Sequence, residues 1–409
     1  MQSPTSKLTI WSGAFFLAVF CLFHGGHFYH VDEELHFLTA SSILDGAAGA
    51  IPPRHEAYYR GELKGVNDFS GMGKFGLGGK FYAKSGVGQA LALVPVVACS
   101  RAVTKAISSS NPQAVERLIA SFFCPVIAAA GLALWINFIA GLGYSRLTAF
   151  SVACAIGLST FYFVQAKFFM NHMLVAVLLI LGLLCIQRAS TGSTGLLLLA
   201  GFCAGWIIFT RIDSFMFAFL VPFFWLLKSR QSGQAALRPT VGICLAMIAP
   251  LLLLGIWNLA RFGHAMDFGY NISDPSQPNY DQFNRDFFPG FLGQIFDFEA
   301  GLIWYAPILL VAVAGMRRLF QRSPPTFWLA VLGAALPLVF YARFDNWAGN
   351  ISWGPRFLLP SVPLVALGLA PRWQDWRGGS RWLKLITCAV VGVGIAVQLS
   401  GSLLSLIHI

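Results

Sequence analysis

The chain has 409 residues, of which 56% are apolar and only 11% are charged, and its formal charge is +11. A soluble protein of this length needs more charge to cover its surface, so the composition predicts a polytopic membrane protein. Most basic residues flank apolar segments, where they favour an orientation in the membrane, and we find no motif for nucleic-acid binding. The eight cysteines all fall in apolar stretches without a CxxC pair, so we expect small buried side chains, not disulfides or metal ligands.

The apolar segments predict an all-α, polytopic membrane helical bundle of about 11–13 transmembrane helices. We find no internal repeat and expect residues 1–409 to form a single integral membrane domain. No small-residue cleavage site follows the first segment, so we expect a retained helix and not a removed signal peptide. The apolar segments lie near residues 8–29, 85–104, 117–140, 146–164, 171–188, 195–211, 214–228, 241–260, 301–316, 326–341, 356–370 and 383–405.

Two long polar loops, residues 30–84 and 261–300, are rich in aromatic residues, which favours ordered segments near the membrane surface. Basic clusters near residues 101–117, 228–238, 317–322 and 372–384 predict a cytoplasmic side, which places both long loops outside. One conflict remains, because Arg188 also favours the inside. We therefore expect one segment between residues 85 and 164 to be short, re-entrant or not spanning.

A cluster of titratable residues follows the first apolar segment, in "HFYHVDEELHF" from His27 to Phe37. Carboxylates at a membrane edge are energetically expensive and usually functional, so Asp32 and Glu33 are candidates for a general base or for holding a cation. The alternative is the solvated start of a loop, which explains Glu34 equally well. The spacing of the nearby histidines fits no known metal-ligand pattern.

Two further motifs contain basic or aromatic residues that are candidates for binding a phosphate or a sugar. In "GKFYAKSGVGQALALVP", Lys84 precedes glycines at a helix start, which suits a phosphate, although lysine at a membrane boundary is commonly a snorkelling anchor. In "FDNWAGNISWGPRFLLPSVP", Arg356 suits bidentate phosphate binding, and Trp347 and Trp353 suit either a sugar ring or a membrane interface. His172 interrupts an apolar run, where a structural role is the more common one.

With these motifs, the chain resembles the GT-C superfamily of multi-spanning glycosyltransferases, which use polyprenyl-phosphate sugars. It is most similar to the branch of protein O-mannosyltransferases and bacterial aminoarabinose transferases. The resemblance rests on the Asp-Glu pair, on "YxKxGxGxxLxxxP" from Tyr82, and on "WxxxxxWGPRFLLPxxP" from Trp347. It implies a catalytic role for Asp32 with Glu33 beside it. The candidate substrate-binding residues are Tyr82, Lys84, Trp347, Trp353, Arg356 and His172.

The sequence departs from this superfamily in two places. The Lys-x-Pro-Pro-Gly pattern lacks its prolines after Lys84, and Asn171 and His172 stand where a second external acid is often found. A divalent metal is therefore an open expectation, and no other cofactor is implied. We see no large C-terminal soluble domain, so we do not expect an oligosaccharyltransferase.

The resemblance predicts an enzyme, a hexosyl- or pentosyltransferase that inverts the sugar, with a polyprenyl-phosphate-linked donor and a lipid, glycan or protein acceptor. We expect it in a bacterial inner membrane. The main alternative is a secondary transporter or lipid flippase of similar helix count, and a further one is a structural membrane protein. A transporter predicts titratable groups at mid-membrane, whereas a lipid-linked transferase predicts them at one face.

Overall fold

The computed structural model describes residues 4–52, 73–84, 86–190, 192–269, 283–349, 352–378 and 380–407. It is an all-α bundle, as predicted, and the described residues contain one short antiparallel hairpin, in which Lys74 pairs with Tyr82. Six of the described helices are long and apolar enough to cross a membrane, and four shorter apolar helices accompany them. The protein is therefore an integral, multi-pass membrane protein.

The first half of the chain begins with a long helix and then a shorter one, before the hairpin. Its elements are α1 (Pro4–Leu22), α2 (Val31–Leu44), β1 (Gly73–Phe75), β2 (Phe81–Ala83), α3 (Gly88–Ala106), α4 (Pro112–Ser121), α5 (Phe123–Gly141), α6 (Arg146–Ser159), α7 (Tyr162–Gln165), α8 (Asn171–Arg188) and α9 (Thr194–Thr210).

The second half contains two passes that are broken into short helices. Its elements are α10 (Phe215–Ser232), α11 (Leu237–Phe262), α12 (Phe287–Phe296), α13 (Leu302–Tyr305), α14 (Ile308–Val313), α15 (Met316–Arg322), α16 (Pro324–Tyr341), α17 (Ser361–Ala366), α18 (Leu369–Gln374) and α19 (Arg381–Ile407). Residues 356–371 of the second broken pass are all buried, and buried backbone is where interrupted helices are tolerated in membranes.

The helices run between two ends of the bundle. At the end we call the basic end, Lys228 donates to the carbonyls of Ile186, Gln187 and Ala189, and Arg322 donates to Gly143. The opposite end, which carries α2, we call the loop end. Eleven passes connect the two ends in the described part of the chain: α1, α5, α6, α8, α9, α10, α11, α13–α15, α16, residues 356–374 and α19.

We expected one segment between residues 85 and 164 to be short, re-entrant or not spanning. The helix α3 is that segment, and it does not cross the membrane. It packs beside α2 at the loop end, where Arg101 pairs with Asp45 and Arg117 of α4 pairs with Glu34. This resolves the orientation conflict, because Arg188 now lies at the basic end. The prediction that the basic cluster near residues 101–117 lies with the other clusters is wrong, since its arginines neutralise carboxylates of α2.

Both long loops hold helices that the sequence did not predict. The first contains α2 and the hairpin, and the second contains α12, while residues 53–72 and 270–282 lie outside the described residues. The first apolar helix ends at Leu22 and not near residue 29, because Gly26 takes a positive φ of 73° and His30 starts a new helix. Among the cysteines, Cys99, Cys244 and Cys388 are exposed, contrary to the expected burial.

Helices α9 and α11 approach each other closely at small residues. A Cβ added to Gly201 would lie 2.2 Å from the carbonyl oxygen of Ile243, and one added to Gly205 would lie 2.5 Å from that of Met247. The outer side of α11 carries exposed apolar residues, including Leu245, as expected for a helix that faces lipid. Small residues therefore allow a peripheral helix to pack on the core.

We expect Gly201→Ala to lower the melting temperature of the purified protein, because the new methyl group forces the two backbones apart, a destabilisation of roughly 1–3 kcal/mol. Gly195→Ala is the matched control on the same helix, since a Cβ there meets nothing within 4 Å. Equal melting temperatures for the two variants would contradict this packing.

Candidate functional site

The start of α2 is held by the buried carboxylate of Glu33. Its oxygens accept backbone N–H groups from Tyr29, from His30 at 3.3 Å and from Phe169 at 2.6 Å. Together with the His30 side chain, which accepts from the Asp32 N–H, this forms a capping box. Burial raises the pKa of Glu33 to about 8, and these three donors oppose that shift. Glu33 is 1% exposed and points into the protein.

Asp32, the neighbouring residue, has a carboxylate that is 30% exposed and accepts no hydrogen bond from the described residues. Its Oδ2 lies 3.4 Å from His30 Nδ1, but that nitrogen already accepts the Asp32 N–H and so carries no proton for the carboxylate. Burial alone raises the pKa of Asp32, but the influence of His30, Arg356, His36 and Lys84 outweighs burial and lowers it below its usual value. Asp32 is therefore ionised at neutral pH.

Lys84 follows β2 and lies within electrostatic range of Asp32. The backbone before it is held by Arg261, which is 4% exposed and donates to the carbonyl of Ala83 at 2.9 Å. Among the described residues, no acceptor binds the Lys84 ammonium group. Burial lowers the pKa of Lys84, and Arg211 and Arg356 lower it further, whereas Asp32 raises it.

Arg356 lies in the 3₁₀ turn Arg356–Leu358 and is 7% exposed. Its Nη1 donates to the Met170 sulfur at 3.1 Å, and its Nε has no partner among the described residues. Gly349, with a φ of 82°, lets the preceding turn cover this side chain, because a Cβ there would lie 2.9 Å from the Arg356 Nε. The guanidinium is thus buried without a carboxylate hydrogen-bonded to it.

A second guanidinium also lies against the Phe357 ring. Arg211 is 4.9 Å from the ring centroid and Arg356 is 5.3 Å from it. Arg211 forms a two-point ion pair with Asp213, with Nε–Oδ1 and Nη2–Oδ2 both at 2.6 Å. Lys84, Arg211 and Arg356 make three cations against the two carboxylates of Asp32 and Asp213. The excess positive charge suits a phosphate group.

His172 lies at the start of α8, 5.2 Å from the Phe357 ring. It is 3% exposed, and both ring nitrogens lack a hydrogen-bond partner among the described residues. A buried imidazole without partners is energetically unfavourable, and substrate binding by His172 stays a prediction. Sequence reasoning placed His172 among the candidates but left out Arg211, whose signal is the polar "TRID" interruption of an apolar run.

The aromatic candidates are packed against protein. Trp347 is 6% exposed and covers Gly293 of α12, and Trp353 lies on Gly401 of α19 and beside the Tyr305 ring at 5.2 Å. Tyr82 is 4% exposed and contacts the Phe262 ring edge-on. These contacts favour structural roles, and substrate binding by the three residues stays a prediction.

The glycines after Lys84 meet protein and not a ligand. A Cβ on Gly86 would lie 2.4 Å from the carbonyl oxygen of Thr210, and one on Gly88 would lie 2.6 Å from the Thr210 side chain. Their role is to let the start of α3 approach the end of α9, which brings Lys84 and Arg211 to the same place. Packing accounts for both glycines, and a phosphate at this helix start stays a prediction.

The described residues hold no group of three His, Cys, Asp or Glu side chains that could bind a metal ion. With its own residues the site can supply a part-exposed, ionised carboxylate beside one buried and two part-buried cations. A cavity of about 700 Å³ lies elsewhere, near the basic end at the start of α6.

The whole bundle is similar to two solved structures. One is the oligosaccharyltransferase AglB from Archaeoglobus fulgidus in complex with an inhibitory peptide and a dolichol-phosphate, with a TM-score of 0.59, 10% identity and coverage of 98% of this chain. The other is ArnT from Cupriavidus metallidurans bound to undecaprenyl phosphate, with a TM-score of 0.55, 13% identity and coverage of 99% of this chain. This chain shares its fold with these two proteins. It spans 56% of the AglB chain and 76% of the ArnT chain. No protein-family model and no curated protein sequence matches it.

We expect Glu33→Gln to destabilise the protein by about 1–3 kcal/mol, because an amide NH₂ replaces an oxygen that accepts a backbone N–H. Thermal unfolding of the purified protein measures the effect. Glu34→Gln is the control, since Glu34 forms a part-exposed pair with Arg117 and such pairs contribute little. If both variants unfold at the same temperature, Glu33 does not hold α2 in place.

Proposed function

We propose that this protein is a membrane glycosyltransferase that transfers a sugar from a polyprenyl-phosphate donor to an acceptor at the loop end of the bundle. The observation that carries the proposal is the ionised, part-exposed carboxylate of Asp32 beside the excess cations at Lys84, Arg211 and Arg356. The GT-C fold supports it, and so do the bound lipids of the similar structures, dolichol-phosphate in AglB and undecaprenyl phosphate in ArnT.

The reaction we propose breaks the bond between the anomeric carbon and the phosphate oxygen. Asp32 accepts the proton of the acceptor hydroxyl as that oxygen forms the new bond to the anomeric carbon. The electron pair of the broken bond stays on the lipid phosphate, which gains one negative charge. Lys84 and Arg356 then stabilise this developing charge in a site with little water.

In this proposal Asp32 is the general base, and direct attack by the acceptor inverts the anomeric configuration. Glu33 acts as a positioning residue, because its carboxylate is used by three backbone N–H groups. The sugar transferred is a hexose or a pentose, and the acceptor is a lipid, a glycan or a protein. We propose the bacterial inner membrane as the location, with the loop end outside.

The position of the charges favours a transferase over a transporter or flippase. Arg211 caps the end of α9, and Arg356 begins its pass. Asp32 lies in the first turn of α2, and Lys84 follows β2, both at the loop end. The site therefore lies at one face of the bundle, where a donor in the lipid and an acceptor in water can meet. A transporter needs such groups near the bilayer midplane.

Asp32→Asn should lower the rate of sugar transfer about 100- to 10,000-fold, since it removes the proposed base while keeping the side-chain shape. The assay follows transfer from a pool of radiolabelled polyprenyl-phosphate sugars in membranes. Asp45→Asn, at the exposed end of the same helix, should leave the rate unchanged. Full activity of the Asp32→Asn protein, with an active wild type, would contradict the assignment.

The pH dependence tests Lys84. Because its pKa is lowered, Lys84 loses its proton at a lower pH than an exposed lysine, and donor phosphate binding weakens above that pH. We expect kcat/KM for the donor to fall at alkaline pH in the wild type, and the fall to move to higher pH in Lys84→Arg, because a guanidinium stays protonated. An identical alkaline limb in both proteins would show that Lys84 does not bind the phosphate as a cation.

A further inference from the structure

A cavity lies at the basic end of the described structure, far from Asp32. It has a volume of about 700 Å³ and is lined by the start of α6, by residues 373–378 and by α19. The 14-residue helix α6, which is about 20 Å long, separates this cavity from the candidate site. The cavity is in the size range of small-molecule pockets, which is roughly 300–1,000 Å³.

The cavity wall is mainly apolar and faces the lipid. Val391, Gly392 and Ile395 of α19 form one side, and α19 is largely exposed on the outside of the bundle. Trp373 and Trp376 lie at its mouth, where amphipathic rings suit the membrane interface. An acyl chain fits such a wall, and it enters sideways from the bilayer.

The polar part of the wall is small and largely satisfied. Gln374 accepts hydrogen bonds from the Ser145 N–H at 2.9 Å and from the Thr148 hydroxyl at 3.0 Å, and Ser145 and Thr148 are themselves paired. These three residues form a hydrogen-bonded cluster in the cavity wall, which we call the rim. A ligand with an apolar body and one polar head matches this arrangement.

The surroundings of the rim are basic. Arg146 begins α6 beside Ser145, and Arg381 and Lys384 lie in the first turn of α19, just before the lining residues. The lining contains one acid, Asp375, whose carboxylate lies 4.0 Å from Arg318. The charge near the rim is therefore positive, which selects an anionic head group over a zwitterionic one.

We infer that this cavity binds an anionic glycerophospholipid from the leaflet at the basic end, with an acyl chain inside and the phosphate beside Arg381 and Lys384 in the first turn of α19. This binding site is separate from the proposed sugar-transfer site, and it takes a membrane lipid and not the donor.

The test is native mass spectrometry of the purified full-length protein, titrated in detergent with dioleoyl phosphatidylglycerol or dioleoyl phosphatidylcholine. Wild type should retain phosphatidylglycerol more tightly. The double variant Arg381→Gln with Lys384→Gln should lose about fivefold in its affinity for each charge removed. Its control is Arg230→Gln with Arg238→Gln, the same loss of charge at the same end but away from the cavity, and this variant should bind as wild type does.

A second variant places a large side chain in the cavity at a position where its Cβ meets no protein atom. A Cβ on Gly392 meets nothing within 4 Å, so Gly392→Phe should fold and exclude the acyl chain. Gly242→Phe is the matched control on α11, where a Cβ also meets nothing within 4 Å. Equal retention of the two lipids by wild type, or unchanged binding in Gly392→Phe, would overturn the inference. Displacement of phosphatidylglycerol by an equimolar polyprenyl phosphate would overturn it as well, since the cavity would then hold the donor lipid.

Discussion

The three backbone hydrogen bonds accepted by Glu33 are the constraint on which the candidate site depends. They tie the turn between α1 and α2 to the backbone of Phe169, just before α8 begins. A carboxyl group buried this deeply is stable only when donors surround it, so Glu33 and the three backbone N–H groups hold each other in place. Because Glu33 points inward at this position of the helix, Asp32 points into the site with its oxygens unoccupied.

The site then collects positive charge by bringing together distant parts of the chain. Lys84 comes from the end of the hairpin, Arg211 from the end of α9 and Arg356 from the start of a broken pass. Glycines make this possible, since Gly86 and Gly88 allow α3 to approach Thr210, and Gly349 allows a turn to cover Arg356. Buried cations without an equal number of carboxylates are unfavourable in the empty protein. An anionic substrate group removes that penalty, which is why the charge excess and the proposed phosphate fit each other.

Much of the bundle could be predicted from the sequence, because long apolar runs have one stable solution in a membrane. The 171–188 segment coincides with α8. Asp32, Lys84 and Arg356 were chosen as candidate site residues from their positions at helix ends. The short helix α2 was missed because its histidine N-cap is not a usual capping residue and its pattern has little periodicity. The position of α3 was missed because hydropathy does not show whether a helix crosses, and only the ion pairs to Asp45 and Glu34 place it.

For two tryptophans, the sequence suggested a substrate-binding role where the structure shows rings packed against protein. Trp347 and Trp353 lie in a motif-like stretch, but the glycines that they cover, Gly293 and Gly401, are distant in sequence, so no local pattern indicates that the rings are packed. Arg211 was not predicted as a site residue, because its neighbour Phe357 is far along the chain. Pairing and ligand binding are compatible for an arginine, whose five N–H groups exceed what one carboxylate accepts.

The most direct measurement compares polyprenyl phosphate with the matching neutral polyprenol as stabilisers of the purified protein against heat. If the excess cations bind the lipid phosphate, polyprenyl phosphate raises the melting temperature of wild type, the alcohol does not, and Arg356→Gln loses the difference. An equal shift by the alcohol and the phosphate would mean that the protein recognises only the isoprenoid chain, and it would contradict a phosphate site at Arg356.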